Sequence, residues 1–291
     1  MQKYSDADLI LNRDGSIYHL HLMPDEISDL IITVGDPDRV EWVSKYFDRI
    51  EVEKQHREYK TNTGYIGKRR ITVISTGIGY GNIDIVINEL DALVNVDFDL
   101  RQNKEEFKQL QFVRIGTSGT LLPEIALGQN LVSAYAIGLD NWPQFYEFDS
   151  ILDEFAESLA AFHEQMPELK GHSYMVAADP KLMKSLGSTF YQGTTITCPG
   201  FYAPQGRNLR LNPKIDQLLN RYRGVKLENR TISNFEMETA AIYSLAKIAG
   251  HAALSFNAIL ANRALGAFHP NPGQAIQVLI ESVLEKVESM P

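Results

Sequence analysis

Cysteine is almost absent from the chain, which contains one, Cys198, among its 291 residues. One cysteine cannot form an internal disulfide, and it cannot supply the ligands of a cysteine-rich metal site. The chain also lacks an apolar run long enough to span a bilayer, and its first residues lack the basic start and apolar stretch of a signal peptide. We therefore expect a cytoplasmic protein that does not bind membranes.

Positive charge is scarce as well, because 28 lysine and arginine residues stand against 37 acidic ones, for a formal net charge of -9. A protein that coats nucleic acid needs a broad cationic face, so this balance argues against a nucleic-acid partner. Any anion that the protein binds must be held by a local group of cations. Hydrophobic residues make up 44% of the chain, which is typical of a globular protein with a substantial core.

Short apolar runs followed by glycine-rich turns recur along the chain, at 29–34, 71–75 and 112–115. They predict buried strands of an α/β fold whose carboxyl ends carry the ligand-binding loops. The other predicted strands are 129–136, 173–178, 194–197 and 253–260. The predicted helices are 38–47, 82–93, 151–163, 213–222, 236–248 and 274–287. The charged segment 99–108 is expected to be solvent-exposed, and since no linker is evident, residues 1–291 should form one domain.

Two of these strand ends have the composition of an anion site. Gly35 lets the backbone approach an anion, and Arg39 adds positive charge in the first turn of a helix. The alternative is a tight turn before a helix, which needs no ligand. Arg114 lies inside an apolar strand, followed by Gly116-Thr117-Ser118-Gly119. A buried arginine needs an anionic partner, which is either phosphate or a carboxylate of the protein itself.

Two further segments carry polar groups suited to a sugar and a base. Glu236 and Glu238 flank Met237 where a strand meets a helix; the helix dipole explains one acid, and the other suits the adjacent hydroxyls of ribose. The loop from Gly200 contains Phe201, Gln205 and Arg207, which can stack on a base and read its polar edge. An ordinary surface loop is the alternative for that segment.

The order of the short motifs GDPDRV, HRE, STGIG, RIGTSG, FYxxQxR and NFEMET resembles the nucleoside phosphorylases of the uridine phosphorylase type, from about His19 to Arg263. The resemblance implies one domain with a central mixed β-sheet flanked by helices. It also implies phosphorolysis of a pyrimidine nucleoside, with uridine favoured, to the free base and ribose 1-phosphate. Inorganic phosphate is then the co-substrate, and no organic cofactor is expected.

The resemblance assigns a role to each matching residue. The phosphate ligands are implied to be Gly35, Arg39, Arg57, Arg114 and Thr117. The ribose contacts are implied to be Met237, Glu238 and His19, with His21 as the alternative to His19. The base contacts are implied to be Phe201, Gln205 and Arg207, and the catalytic residues Arg114, Arg207, Gln205 and Glu238. A monovalent cation, potassium, would bind at Glu58 and Ser75.

Arg57 and His19 are implied to reach into a neighbouring subunit, so the smallest active unit would be a homodimer; assembly into a hexamer stays open. This chain departs from the family pattern at Tyr80, where the family has glycine, and at Ala203-Pro204 before Gln205. Purine-specific relatives carry an acidic group where this chain has Asn262, which cannot protonate a purine. The alternatives are a purine phosphorylase or nucleosidase of the same fold, and a noncatalytic nucleoside-binding protein.

Overall fold

The computed structural model describes residues 3–228 and 230–290. The aliphatic and β-branched runs form buried strands, as in Leu30–Val34, where every residue is buried. Two strands of the sheet are more polar and were not predicted: Arg49–His56 has alternating exposure, and Tyr59–Ile66 pairs with it as a hairpin. Alternation of this kind leaves one face of β2 in solvent, whereas β3 is mostly buried but is built from polar residues such as Thr61, Asn62 and Thr63, so neither strand carries a continuous apolar run.

The strands are numbered in chain order. They are β1 Leu30–Val34, β2 Arg49–His56, β3 Tyr59–Ile66, β4 Arg69–Ser75, β5 Val96–Asp97, β6 Gln102–Asn103, β7 Gln111–Thr120, β8 Asn130–Gly138, β9 Tyr174–Ala177, β10 Tyr191–Thr197, β11 Lys226–Leu227, β12 Arg230–Glu236, β13 Ala252–Asn262 and β14 Ala267–Phe268. The helices are α1 Pro37–Ser44, α2 Tyr80–Asn95, α3 Asp149–Glu154, α4 Ala156–Gln165, α5 Pro180–Leu182, α6 Leu218–Gly224, α7 Thr239–Ile248 and α8 Pro272–Glu288.

Twelve strands of the described chain form one mixed sheet in the order β11-β12-β10-β8-β13-β7-β1-β4-β3-β2, with β9 on β8 and β14 on β13. Strand β12 also pairs antiparallel with β7, through Asn234 with Thr120 and Phe235 with Gly119. The strands β7, β13, β8, β10 and β12 therefore close into a ring. Helices pack on this mixed sheet, α1 and α8 against each other and α2 against α7, as the predicted fold class requires.

The third predicted strand does not end in a turn at Gly116. Strand β7 continues to Thr120, because β13 pairs with it along its length, Asn257 opposite Gly116 and Ala258 opposite Thr117. A Cβ at Gly116 would lie 2.0 Å from Nη1 of Arg114. Glycine is thus needed at Gly116 because the guanidinium of Arg114 lies over the backbone, not because the chain turns.

Three predicted helices have different bounds. Residues 151–163 form two helices, α3 and α4, which meet at Phe155. The helix predicted from Pro213 begins only at Leu218, after Gln217, whose φ is 52°. The helix predicted from Glu236 begins at Thr239, because Glu236 still pairs as the last residue of β12.

The remaining predicted strands and helices lie within a few residues of their expected bounds. The charged segment is exposed from Asn103 to Gln109, as expected. Among the described residues, the model has no helix with the length and apolar character needed to cross a membrane.

Candidate active site

Arg39 lies where β1 runs into α1. Asp36 starts that helix, its carboxylate accepting the N–H of Asp38 at 3.0 Å. The half-buried guanidinium of Arg39 donates to the carbonyl of Ile115 at a long 3.4 Å, and its buried Nε has no hydrogen-bond partner among the residues that the structure describes. Burial lowers the pKa of Arg39, and the positive charge of Arg114 lowers it further. A second cation beside a guanidinium with unused donors is the arrangement of a site for an anion.

Arg114 has carboxylate partners within the chain. Its Nη2 lies 2.6 Å from Oε2 of Glu238 and 3.1 Å from Oε2 of Glu236, and all three side chains are buried. Burial alone would lower the pKa of Arg114, but Glu236 and then Glu238 outweigh it and raise the pKa. The carboxylate alternative for Arg114 is therefore present in this structure. Arg39, Arg114, Glu236 and Glu238 are called the interior cluster below.

The two acids of the interior cluster have different hydrogen-bond partners. The carboxylate of Glu236 accepts the N–H groups of Glu238 and Thr239 at 2.9 Å and the hydroxyl of Thr197 at 2.7 Å. It thereby satisfies backbone donors at the start of α7, which otherwise lack partners. Glu236 is the acid that the helix terminus explains.

Glu238 instead faces the loop before α2. Its Oε1 accepts the N–H of Gly79 at 2.7 Å, and Gly79 has a φ of 91°. The methyl of Met237 lies beside Gly79, 3.9 Å from where a Cβ would stand. Burial raises the pKa of Glu238, with Arg114 acting in the opposite direction. Each carboxylate oxygen has a further lone pair, so Glu238 retains acceptor capacity for a hydroxyl.

Two more predicted phosphate ligands lie close by. Gly35 follows β1, and a Cβ there would stand 3.5 Å from the carbonyl of Gly77, which places the first glycine turn beside the loop that leads to Gly79. Thr117 is half-buried on β7, three residues after Arg114. The structure thus brings Gly35, Arg39 and Arg114 together where β1 ends, and Thr117 follows Arg114 on β7.

The predicted base-reading loop is held by its own side chains. Arg207 stacks on Phe201, with the guanidinium carbon 3.5 Å from the ring centroid, and Nη1 donates to the Phe201 carbonyl at 2.6 Å and to Oε1 of Gln205 at 2.5 Å. Gln205 is 2% exposed, whereas Phe201 is 49% exposed. Burial, followed by the charge of Arg263, lowers the pKa of Arg207 to about 10.

Arg263 is a neighbour that the sequence did not identify. It donates to the carbonyls of Gln205 at 3.2 Å and Gly206 at 3.4 Å, and it lies over the ring of Phe235, as does Arg207. Two guanidinium groups therefore flank this loop. The signal was present as an arginine directly after the Asn262 that marks the end of β13.

Asn262 itself is committed to the fold. Its amide donates to the carbonyls of Leu122 and Ile125 at 3.2 and 2.9 Å, and its Oδ1 accepts the N–H groups of Ala264 and Leu265 at 3.1 Å. The side chain is 2% exposed. These bonds leave Asn262 no role as a proton donor to a base.

His19 and Arg57 lie together, outside the interior cluster. The exposed Arg57 lies 5.8 Å over the ring of Tyr18, which contacts the His19 ring edge-on at 4.7 Å. Nδ1 of His56 lies 2.9 Å from the carbonyl of His19. Tyr18, His19, His56 and Arg57 are called the surface patch below. The structure does not bring Arg57 and His19 to the interior cluster of the same chain.

Glu89 holds His19 in this patch, although no motif in the sequence indicates it. Its carboxylate lies 2.6 Å from Nδ1 of His19 and accepts the backbone N–H groups of His19 and Leu20 at 3.0 and 2.9 Å. His21, the alternative to His19, is instead paired with Asp14 at 2.9 Å. A hydrogen-bonded Nδ1 leaves Nε2 of His19 as the ring nitrogen that can face a ligand.

The two residues predicted to bind a cation also meet. The hydroxyl of Ser75 donates to the backbone carbonyl of Glu58 at 2.6 Å and accepts the N–H of Lys60 at 2.7 Å. Among residues 3–228 and 230–290, no group of three or more His, Cys, Asp or Glu side chains is arranged to hold a metal ion. A cation at Ser75 would thus depend on hydroxyl and carbonyl oxygens, the ligands suited to a hard monovalent ion.

The chain is similar to known proteins along most of its length. A family model described as the phosphorylase superfamily matches residues 29–286. The uridine phosphorylase of Thermococcus kodakarensis is 29% identical over 290 residues, which cover 99% of this chain and 92% of that protein. The uridine phosphorylase of Haemophilus influenzae is 26% identical over 256 residues, covering 86% of this chain and 87% of that protein.

A solved structure is also similar along nearly the whole chain. A Trypanosoma brucei nucleoside phosphorylase, described as showing uridine phosphorylase activity, superposes with a TM-score of 0.86 at 27% identity. The superposition covers 96% of this chain and all of the other. The predicted fold class, a mixed sheet flanked by helices, is confirmed.

Proposed function

The chain belongs to the phosphorylase superfamily, and on that premise we propose that it is a pentosyltransferase that cleaves uridine with inorganic phosphate to uracil and ribose 1-phosphate. The observation that carries the proposal is Arg39, whose buried Nε has no partner in the described part of the chain, while the charge of Arg114 lies close to it. An unused guanidinium edge next to a second cation suits a small dianion. The names of the similar proteins support the choice of uridine.

The phosphate is proposed to lie between Arg39, Arg114 and Thr117, above the backbone of Gly35. A hydrolase that activates water has no use for several arginines around one anion. The position of these groups at the end of β1 and in the middle of β7 supports one shared binding site. The anion would lie below the sugar, where it can stabilise positive charge on the glycosidic carbon and then bond to it.

The ribose is proposed to rest against Met237 and Glu238. The carboxylate of Glu238 is fixed by Gly79 and Arg114, so its free lone pairs have one orientation. A fixed acceptor holds two adjacent hydroxyls without further reorganisation, which favours the reactive geometry. Arg114 touches Glu238 on one side and the proposed phosphate on the other, so it couples the two substrates.

The base is proposed to lie against Phe201, with its polar edge on Gln205 and Arg207. As the bond from the sugar to the base breaks, its electron pair enters the pyrimidine ring and raises the charge on the carbonyl oxygens. Arg207, and Arg263 behind it, are cations placed to stabilise that charge. The hydrogen bonds that commit Asn262 to the fold favour a pyrimidine over a purine, whose departure needs a proton donor there.

A second copy of the chain is proposed to complete the site with its own His19 and Arg57. Within one chain these residues lie on the surface patch, away from the interior cluster, and Arg57 is exposed. The proposed smallest active unit is therefore a homodimer. A potassium ion near Ser75 and Glu58 is part of the same proposal.

The test is to incubate the purified protein with uridine in phosphate-free buffer and then with phosphate, and to quantify uracil and ribose 1-phosphate by chromatography. We expect both products only when phosphate is present. Uracil released at full rate without phosphate would identify a nucleosidase, and bound but uncleaved uridine a noncatalytic binding protein. Inosine cleaved as fast as uridine would overturn the pyrimidine assignment.

A further inference from the structure

A belt of buried polar side chains runs around the inside of the five-stranded ring. It contains one residue from each strand: Asn257 of β13, Ser133 of β8, Thr195 of β10, Asn234 of β12 and Ser118 of β7. Consecutive members are joined by hydrogen bonds of 3.2, 2.6, 2.9 and 3.0 Å. Each of the five residues is at most 8% exposed. Buried polar groups are costly unless fully paired, so a belt of this kind fixes the orientation of every member.

The direction of donation around the belt follows from the number of protons. Asn234 donates its amide N–H to Ser118, and its Oδ1 accepts the single hydroxyl proton of Thr195. The proton between Ser133 and Thr195 must therefore come from Ser133, which leaves the Ser133 oxygen as an acceptor for the amide nitrogen of Asn257. The amide of Asn257 is thereby oriented with its nitrogen toward the belt and its oxygen away from it.

The oxygen of Asn257 faces Arg114. Nη1 of Arg114 donates to Oδ1 of Asn257 at 3.0 Å, and more weakly to the hydroxyl of Ser255 at 3.4 Å. Asn257 pairs with Gly116 across β13 and β7, and the guanidinium lies directly over Gly116. Gly116 therefore leaves space for the guanidinium, and Asn257 supplies the acceptor that fixes it in that space.

We propose that Asn257 is a positioning residue, which uses the belt to aim the Arg114 guanidinium at phosphate. This rests on the proposed phosphorolysis and adds a residue to it. The two carboxylates of the interior cluster have anchors of their own, since Glu238 is held by Gly79 and Glu236 by Thr197. Within residues 3–228 and 230–290, Nη1 of Arg114 is bonded only to Asn257 and, at a longer distance, to Ser255.

The main test is the Asn257→Leu variant, which keeps the size of the side chain and removes the acceptor. Loss of one hydrogen bond to a charged group predicts a fall of about 10-fold to 100-fold in kcat/KM for phosphate. The KM for uridine at saturating phosphate should change less than about threefold, because Glu238 keeps its bond from Gly79. An unchanged kcat/KM for phosphate in folded Asn257→Leu overturns the inference.

Asn62→Leu is the matched control. Asn62 is likewise a buried amide of the sheet, 1% exposed, and lies on β3 with no contact to Arg114 among the described residues. Its amide donates to the hydroxyl of Ser44 on α1 at 2.8 Å. This variant should lose thermal stability without a change in the KM for phosphate. An equal loss of phosphate affinity in both variants would assign the effect to general destabilisation and contradict the proposal.

Ser133→Ala tests the belt if Asn257→Leu does not fold. It removes the acceptor that orients Asn257 but leaves the contact from Asn257 to Arg114 possible, so a smaller fall in kcat/KM for phosphate is expected.

A second check combines Asn257→Leu with Arg114→Lys, where the effect of Asn257→Leu should nearly vanish because its partner is gone. Full additivity of the two substitutions would rule out action through Arg114. If the wild-type protein cleaves uridine without phosphate, the proposed function fails instead.

Discussion

The interior cluster and the surface patch differ in how their polar groups are satisfied. In the interior cluster Arg114 is 6% and Glu238 7% exposed, and their charged atoms are bonded within the chain. In the surface patch the side chain of His19 is 26% exposed, and Arg57 is exposed with a ring as its neighbour. The first arrangement is fixed by the fold. In the second, the guanidinium of Arg57 is exposed to solvent and can therefore contact another molecule.

The largest effect is expected in the interior cluster. Glu238→Gln removes the negative charge that is proposed to bind the ribose hydroxyls and to align Arg114. We therefore expect kcat/KM to fall by about 10²- to 10³-fold. Folding should be affected little, because Glu236 still neutralises the buried Arg114 and the amide oxygen of glutamine can still accept the N–H of Gly79.

Steady-state kinetics and thermal unfolding measure these two outcomes side by side. The melting temperature of Glu238→Gln should shift by less than about 4 °C, which corresponds to about 1 kcal/mol in a protein of this size. Wild-type kinetics in a folded Glu238→Gln protein would remove Glu238 from the proposed site and end the contrast between the two regions.

The base-reading loop should show a smaller and more selective effect. Arg207→Met keeps most of the side chain's length and removes its donors, so kcat for uridine should fall by about 10-fold to 100-fold while the KM for phosphate stays the same. A parallel loss of phosphate affinity would mean that this loop and the interior cluster are not separate parts of the site. Unchanged uridine turnover would contradict the assignment of Arg207 to the base.

Asp140 provides an effect outside both regions, on stability and not on turnover. Burial raises its pKa to about 7, and the hydroxyl of Tyr174 donates to it at 2.8 Å. The folded protein therefore holds a proton on Asp140 that the unfolded chain releases near pH 4. The free energy of unfolding should accordingly decrease as pH rises from about 4 to 7, by about 3 kcal/mol between pH 5 and 8.

Asp140→Asn should remove this contribution, because an amide does not titrate. Urea unfolding of both proteins at pH 5 and pH 8 measures it, with uridine turnover as a control that should stay close to the wild-type value. An equal pH dependence in the two proteins would contradict the raised pKa of Asp140.

Local patterns predicted those parts of the fold that depend on neighbours in sequence. The β-branched run Ile71–Ser75 and the periodic helix Pro272–Glu288 lie close to their predicted positions. The hairpin β2–β3 was missed because β2 is largely exposed and β3, although mostly buried, consists largely of polar residues, so neither leaves an apolar run. Gly116 was misread because what requires a glycine there is the side chain of Arg114, whose position depends on Asn257 far along the chain.

The site was predictable as a list of residues, but not as a set of contacts. The sequence left the partner of Arg114 open between phosphate and a carboxylate, since Glu238 is 124 positions away. The structure contains the carboxylate contact and leaves Arg39 with unused donors beside it. Glu89 and Arg263 could not be found from local patterns, because each acts on a residue brought near only by folding.

The claim that one site joins the interior cluster of one chain to the surface patch of another is tested most directly by mixing two inactive variants. Arg57→Ala and Glu238→Gln proteins are unfolded together, refolded in equal amounts and assayed with uridine and phosphate. Half of the dimers should be mixed, and each mixed dimer should carry one intact site, so about a quarter of wild-type activity should return. Activity no higher than the mean of the two variants alone would contradict the account.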